Sequence, residues 1–447
     1  MLTSRQTPSY NLKAVVQQTD LKPDTLRAWE RRYGLPQPQR SEGGHRLYSA
    51  RDIDTIRWLM ARQREGLSIK RAVELWRQLE AEGQDPLHTA TLSVAQAPSA
   101  LDRQAVGETI VKLREDWVAA CLAFDEQRAE NILAQAFALY PPETVCLEVL
   151  QSGVAHIGDG WYQGEMTVQQ EHFATALAMR RLEALIVAAP APTRPGRILV
   201  ACPPEENHTF SPLLLSFLLR RRGWNVLYLG ANVPVERMKT TVSVARPQLV
   251  ILAAQQLHTA ATLLALAQLL QEERTPVAFG GMIFNVLPAI RTRIPGHFLG
   301  QRLEAAPSAV EQLMVAPRPY PPQEDVTETY HQARECYGER RGRIEAQLNP
   351  ALERTGIDPE HLAMANAEFA RNIVAALTLG DMEFAGANIE WVKELLGNRG
   401  VPTKLLDDYL KAYHRVAETD LDERGQPIVS WLAQLVEGNS QQDFERV

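Results

Sequence analysis

Between residues 197 and 315 short apolar runs alternate with helical patterns: 197–202 is followed by 212–222, 225–229 by 234–245, 249–253 by 259–273, 277–279 by 282–293, and 297–299 by 306–315. Strands that lie parallel need crossover helices between them, so this alternation predicts a doubly wound parallel sheet of about five strands. Such sheets bind ligands in the loops beyond the carboxyl ends of their strands. The loop after the first run holds Glu206-Asn207-His208. A carboxylate two residues before a His can bond one ring nitrogen, fix the tautomer and leave the other nitrogen free for the metal of a cofactor. A solvated or locally hydrogen-bonded loop His is the plainer reading of the same residues. Gly280-Gly281 closes a later strand, where side chains would obstruct a close-lying ligand.

With 447 residues the chain has room for two to four domains with full cores. Its 45% hydrophobic and 23% charged residues are those of a soluble globular protein. Residues 213–219 are too few to span a membrane and run into three Arg, and 249–270 is interrupted by Gln255, Gln256, His258 and Thr259, so no membrane partner is expected. The N-terminus lacks the apolar core of a signal peptide, which predicts a cytoplasmic protein. Cys121, Cys146, Cys202 and Cys336 show no Cys-x-x-Cys spacing and read as reduced thiols, neither zinc ligands nor a disulfide framework. Net charge is −7, yet residues 1–80 carry 15 Lys and Arg against 9 Asp and Glu, a net of +6 that leaves −13 for the remainder. That asymmetry predicts one nucleic-acid-binding module on an acidic body.

In the basic segment Asn11 can cap a short helix, and Lys22-Pro23-Asp24 opens a second on which Leu26, Trp29 and Tyr33 recur at helical spacing. Two short helices joined by a tight turn make a helix-turn-helix. Gly43-Gly44 suits a hairpin turn between two short strands, a wing, and two more amphipathic helices follow at 50–65 and 68–82. The phrases Leu26-Arg-Ala-Trp29-Glu30-Arg31-Arg32-Tyr33-Gly34 and Gly43-Gly44-His45-Arg46-Leu47-Tyr48 resemble the MerR family of winged-helix DNA-binding domains. The resemblance implies that the second helix enters the major groove of double-stranded operator DNA while the wing grips flanking backbone. On that basis Arg27, Arg31, Arg32, Arg40 and Arg46 are expected near phosphates or bases, with Tyr33 and Tyr48 packing or donating to phosphates, and Trp29 in the core.

Residues 83–100 lack periodicity and read as a flexible linker between the DNA-binding domain, 1–82, and a helical bundle, 101–189. The bundle's helices are expected at 102–124, 125–139, 141–158 and 167–186, with a break at Gly158-Asp-Gly160 that leaves Trp161 at a helix end. Glu171 and His172, adjacent on the last helix, point about 100° apart. A Pro-rich joint opens the α/β domain, 190–316, and a second, at 316–322, precedes a C-terminal helical domain, 317–447, whose role the sequence leaves open. A faint echo links Val118-Ala-Ala-Cys-Leu-Ala-Phe-Asp125 to Val374-Ala-Ala-Leu-Thr-Leu-Gly-Asp381.

Glu206, His208 and Ser211, together with Gly223-Trp224, Tyr228-Leu-Gly230 and Gly280-Gly281, resemble the cobalamin-binding domain family, and Trp161 with Glu171-His172 is similar to the Trp-x9-Glu-His pattern in the helical cap of the CarH and LitR group of regulators. The resemblance implies that His208 ligates cobalt from below with Glu206 orienting it. It places Trp161, Tyr162, Glu171 and His172 over the upper face, and Ser211, Gly280 and Gly281 along the corrin and its nucleotide tail. The expected cofactor is adenosylcobalamin or methylcobalamin. Two positions depart from the pattern: Tyr162 stands where light-sensing members carry a His that captures cobalt, and Ser211 stands where the family usually has Gly. The second leaves room for another flat tetrapyrrole, a bilin such as biliverdin, and the alternative among regulators is a photoreceptor or redox sensor using a bilin or haem in the same cavity. The expected function is a transcriptional regulator, not an enzyme, in which the tetrapyrrole, and light in one version, controls self-assembly into a dimer or tetramer. A corrinoid methyltransferase-type protein is the alternative from another class, and it would leave the DNA-binding module without a purpose.

Overall fold

The computed structural model describes residues 10–19, 21, 23–40, 46–64, 69–81, 100–352, 359–399 and 401–445. Residues 83–99 of the linker expected at 83–100 and the wing turn at Gly43-Gly44 lie outside them, while Ala100 already opens a helix. The chain forms two units, Met1–Val106 and Gly107–Val447.

In the first unit β1 (Tyr10–Asn11), β2 (Gln39–Arg40) and β3 (Arg46–Tyr48) form an antiparallel sheet in the order β1-β3-β2. Asn11 does cap the helix Leu12–Thr19, its Oδ1 accepting from the Ala14 amide at 2.9 Å. The helices Pro23–Tyr33, Ala50–Arg64 and Ile69–Ala81 close over Val15, Leu26, Trp29, Ile56, Leu59 and Trp76. Trp58 meets Trp76 edge-on at 5.2 Å.

The helix Ala100–Leu122 runs across the boundary into the second unit and is followed there by the helices Glu126–Leu139, Pro142–Val145, Ser152–Tyr162 and Val168–Val187, with a π-helical turn at Cys146–Gln151 that the sequence pattern does not reveal. The expected break at Gly158–Gly160 does not occur: the helix runs through both glycines, and Trp161 sits in its last turn. A helical Gly costs only about 1 kcal/mol, which packing outweighs here. A Cβ at Gly160 would come within 2.6 Å of Met166 Sδ, so the glycine serves close approach to the following loop. Trp117, Leu133, Leu150, Ile157 and Leu177 share one core with Leu213, Leu214, Phe217 and Leu218 of the helix Phe210–Arg221, so the bundle rests on the helix that follows the His208 loop.

Among the described residues the parallel sheet has five strands, β4 (Arg197–Ala201), β5 (Asn225–Gly230), β6 (Leu249–Ala253), β7 (Val277–Gly280) and β8 (His297–Phe298), in the order β5-β4-β6-β7-β8. Two helices are shorter than their patterns predict. The run at 234–245 is helical only over Met238–Ala245, because Arg237 takes a left-handed φ of 65°. The run at 282–293 divides into Ile283–Val286 and the 3₁₀ turn Pro288–Arg293, since Pro288 has no amide to continue the helix.

Beyond the sheet the helices Glu328–Leu352, Pro359–Leu379, Glu383–Asn398, Lys404–Asp420 and Gln426–Glu445 pack as a bundle. Its core is continuous with one face of the α/β domain: Leu257, Ala260, Leu264 and Ala267 of the helix Leu257–Glu272 cluster with Ala370, Ile373 and Leu377 of the helix Pro359–Leu379. Inside the bundle the Tyr337 and Tyr413 hydroxyls meet at 2.5 Å, and Phe369 stands edge-on to Tyr413 at 4.7 Å.

Gly281 holds the end of β7 against β6. Its φ is +127°, and a Cβ there would lie 1.8 Å from the Ala254 carbonyl oxygen. Gly281→Ala is therefore expected to cost about 3 kcal/mol or more, read as a lower urea midpoint at unchanged slope.

Candidate functional site

From β4 the chain crosses to β5 on one side and later returns to β6 on the other, so the loops beyond β4 and β6 diverge at a topological switch point. Glu205, in the loop after β4, adopts a left-handed φ of 67°, and its amide donates to Asn232 Oδ1 at 2.9 Å. The Asn232 amide in turn donates to the Glu206 carbonyl at 3.0 Å. Tied in this way, the loop turns the Glu206 side chain inward, where it is 0% exposed, and the His208 ring outward, where it is 59% exposed.

The Glu206 carboxylate is fully engaged. Oε1 accepts from the His208 amide at 2.8 Å and faces His208 Nδ1 at 2.7 Å. Oε2 accepts from the Gln255 amide and the Thr259 hydroxyl, both at 2.7 Å, and both of these belong to the loop and helix after β6. Burial pushes the Glu206 carboxyl up, but the bonds from His208, Thr259 and Gln255 together outweigh it and leave it below its ordinary value. The bond to Glu206 raises the His208 pKa against the opposing effect of burial, and the charges of Glu206 and Glu171 add to the rise.

With Nδ1 turned to a carboxylate, the neutral ring keeps its proton there and presents the Nε2 lone pair outward. Among the described residues no group of three or more His, Cys, Asp and Glu converges on a metal position. A single oriented imidazole suits a metal that brings its other ligands in a macrocycle, so the donor set fits the cobalt of a corrinoid. Ser211 is half-buried in the first turn of the helix Phe210–Arg221. Gly280 faces open space, whereas Gly281 is explained by its approach to Ala254 without any ligand.

On the bundle, Glu171 and His172 are bonded to each other, Oε2 to Nδ1 at 2.7 Å, and Glu171 Oε1 also accepts from Thr175. The Trp161 ring lies under the Arg399 guanidinium, 5.0 Å from ring centroid to charge. Tyr162 is committed to the C-terminal bundle: its hydroxyl donates to Glu394 Oε2 at 2.6 Å, and its ring stacks on Trp391 at 5.5 Å. Burial first, and then the Glu394 carboxylate, push the phenol up to about 12, so it remains a donor at neutral pH. Sequence reasoning missed Gln255, Thr259, Trp391 and Glu394. The first two could have been sought in the loop of the strand next to β4; no pattern in the chain pairs the last two with Tyr162.

In the first unit Arg27, Arg31 and Arg32 are exposed on the helix Pro23–Tyr33, and Tyr33 is half-buried with its carbonyl accepting from Arg77 at 2.7 Å. Arg40 pairs with Arg46 across the β2–β3 ladder, and its side chain lies outside the described residues. Arg46 Nε donates to Glu30 at 2.8 Å. Of the two roles expected for Tyr48, packing or donating to phosphates, the structure shows packing: it is 0% exposed and its hydroxyl donates to Glu30 at 2.6 Å, on the carboxylate that also pairs with Arg46.

Comparison with known proteins assigns these parts. Residues 10–79 match the MerR HTH family of regulatory proteins, and residues 113–186 and 196–306 each match a B12 binding domain family. The HTH-type transcriptional repressor CarH of Myxococcus xanthus is 32% identical over 293 residues, 65% of this chain and 94% of that protein. The chain belongs to the CarH family of HTH-type transcriptional regulators. A second member of this kind, the repressor CarA of the same organism, is 31% identical over 54% of this chain and 75% of its own length. A solved monomethylamine corrinoid protein of Methanosarcina barkeri is 21% identical over 46% of this chain and 98% of its own, with a TM-score of 0.36, and adds nothing to the fold described above. In this CarH-family regulator the first B12 binding match falls on the helices that carry Trp161, and the second spans β4 to the start of the helix Ala306–Val315, with Glu206 and His208 inside it. No helix among the described residues is long and apolar enough to cross a membrane.

The carboxylate network makes a direct test. In Glu206→Gln one amide NH2 group would face the donors that the carboxylate now accepts from, a loss of about 1–3 kcal/mol visible as a lower urea midpoint. An unchanged midpoint would mean that the buried charge contributes nothing net.

Proposed function

We propose that this regulator holds a cobalamin, in its adenosyl or methyl form, between the helical cap and the His208 loop, and that the bound form sets how the chain assembles, as dimer or tetramer, on double-stranded operator DNA in the cytoplasm. The observation that carries this reading is the buried Glu206 carboxylate turning Nδ1 of an exposed His208 inward and Nε2 outward at the switch point of the sheet. His208 would lie below the cobalt, with Trp161, Glu171 and His172 toward the upper face and Ser211 and Gly280 beside the macrocycle. When bound, an alkylcobalamin would supply a reactive cobalt–carbon bond, and the residues named here would hold the cobalamin and surround it. A ligand that favours one assembly over another shifts the population by its difference in affinity. Joining DNA-binding domains in one assembly raises operator affinity through effective concentration.

Visible spectra of the purified chain with adenosylcobalamin and, separately, with biliverdin, in the dark and after illumination, test the cofactor. Bound adenosylcobalamin in the wild type, and loss of the His-ligated spectrum in His208→Ala, are expected. Binding of biliverdin alone, or an identical cobalamin spectrum in the variant, overturns the assignment. For DNA, Arg31→Ala with Arg32→Ala should weaken operator binding and lower the slope of log K against log salt by about one for each phosphate that the variant no longer neutralises. An unaltered slope would remove both residues from the interface.

A further inference from the structure

The C-terminal bundle touches both sides of the proposed cofactor site. Its base is fixed to the α/β domain through the shared core between the helices Pro359–Leu379 and Leu257–Glu272. The second of these carries Thr259, one of the donors that hold Glu206, and beside it Glu368 approaches His258 Nδ1 at 4.0 Å. From that base the helix Glu383–Asn398 reaches the cap at the turn after Trp161. There Tyr162 is bonded to Glu394 and stacked on Trp391, Asn398 Nδ2 donates to the Tyr162 carbonyl at 3.1 Å, and Arg399 covers the Trp161 ring while donating to its carbonyl at 3.4 Å. Gly164 completes the fit, since a Cβ there would lie 3.0 Å from the Asn398 carbonyl oxygen.

We propose that the bundle is a strut: anchored on the α/β domain and latched to the cap through Tyr162, it holds Trp161 in position relative to the His208 loop. Trp391, Glu394, Asn398 and Arg399 are then positioning residues, acting on the cofactor through Trp161. The inference rests on the cobalamin reading above. A turn that is ordered before binding spares the ligand the cost of ordering it, so the latch strengthens corrinoid binding. Linkage makes the effect mutual: the factor by which the latch tightens corrinoid binding is the factor by which corrinoid tightens the latch.

The test uses the full chain, adenosylcobalamin in the dark, and the variants Trp391→Ala, Glu394→Ala and Glu394→Gln. Expected are a dissociation constant raised by about 5-fold to 150-fold in the two alanine variants, the range of such couplings, and recovery toward wild type in Glu394→Gln, whose amide oxygen still accepts from Tyr162. Adenosylcobalamin should also slow amide exchange across 383–399 in the wild type and lose that effect in Trp391→Ala, a readout that general destabilisation would not produce. Equal or tighter binding by the alanine variants, with exchange across 383–399 indifferent to the ligand, overturns the strut and leaves the cobalamin reading standing. Absence of adenosylcobalamin binding in the wild type overturns both.

Discussion

A carboxylate with no exposed surface can remain charged only if its oxygens are supplied with donors, and Glu206 receives them from the segments that follow two neighbouring strands, β4 and β6. His208 supplies a backbone and a ring nitrogen from the loop after β4, and Gln255 and Thr259 supply an amide and a hydroxyl from beyond β6. The charge therefore pins together the two loops that the strand order sends apart. Because this anchor is buried, His208 lacks the rotational freedom of an ordinary surface His: its ring is exposed, yet one of its nitrogens is fixed from within. A ligand meeting Nε2 finds a donor that has already given up most of its orientational entropy.

The same logic separates the two glycines at the end of β7. Gly281 is demanded by the fold, because its backbone passes so near Ala254 that any side chain would collide with a carbonyl oxygen. Gly280 is not demanded by anything inside the protein, and a side chain there would project into open space at the carboxyl edge of the sheet. Of the pair, only Gly281 has a reason inside the fold for lacking a side chain.

Much of this was readable from local pattern because it depends on local pattern. The alternation from 197 to 315 fixes the order of strands and helices, and hence puts His208 at the carboxyl end of β4, and the two-residue spacing of Glu206 and His208 lets one orient the other. What sequence reading lacked lies far along the chain. Gln255 and Thr259 are 49 and 53 residues from Glu206, and Glu394 is 232 residues from Tyr162. The expected break at Gly158–Gly160 failed for a related reason: glycine was weighed as a local helix breaker, while Gly160 is used here to admit the Met166 side chain at close range, a tertiary demand.

Tyr162 is the point at which the cap and the C-terminal bundle meet. An imidazole at that position could compete for a metal; a phenol held protonated by burial and by Glu394 cannot, and its ring and hydroxyl are both occupied by the C-terminal bundle. At 162 the chain thus carries a residue able to dock and not to ligate, and the helices beyond the α/β domain supply what it docks against. Since the bundle's other end shares its core with the helix bearing Thr259, a displacement of the cap turn works against packing at one end and against the Glu206 network at the other. Packed cores yield in discrete rearrangements more readily than by gradual stretching. A cap turn braced in this way is held from both ends, by its own latch and by the packing beneath the bundle.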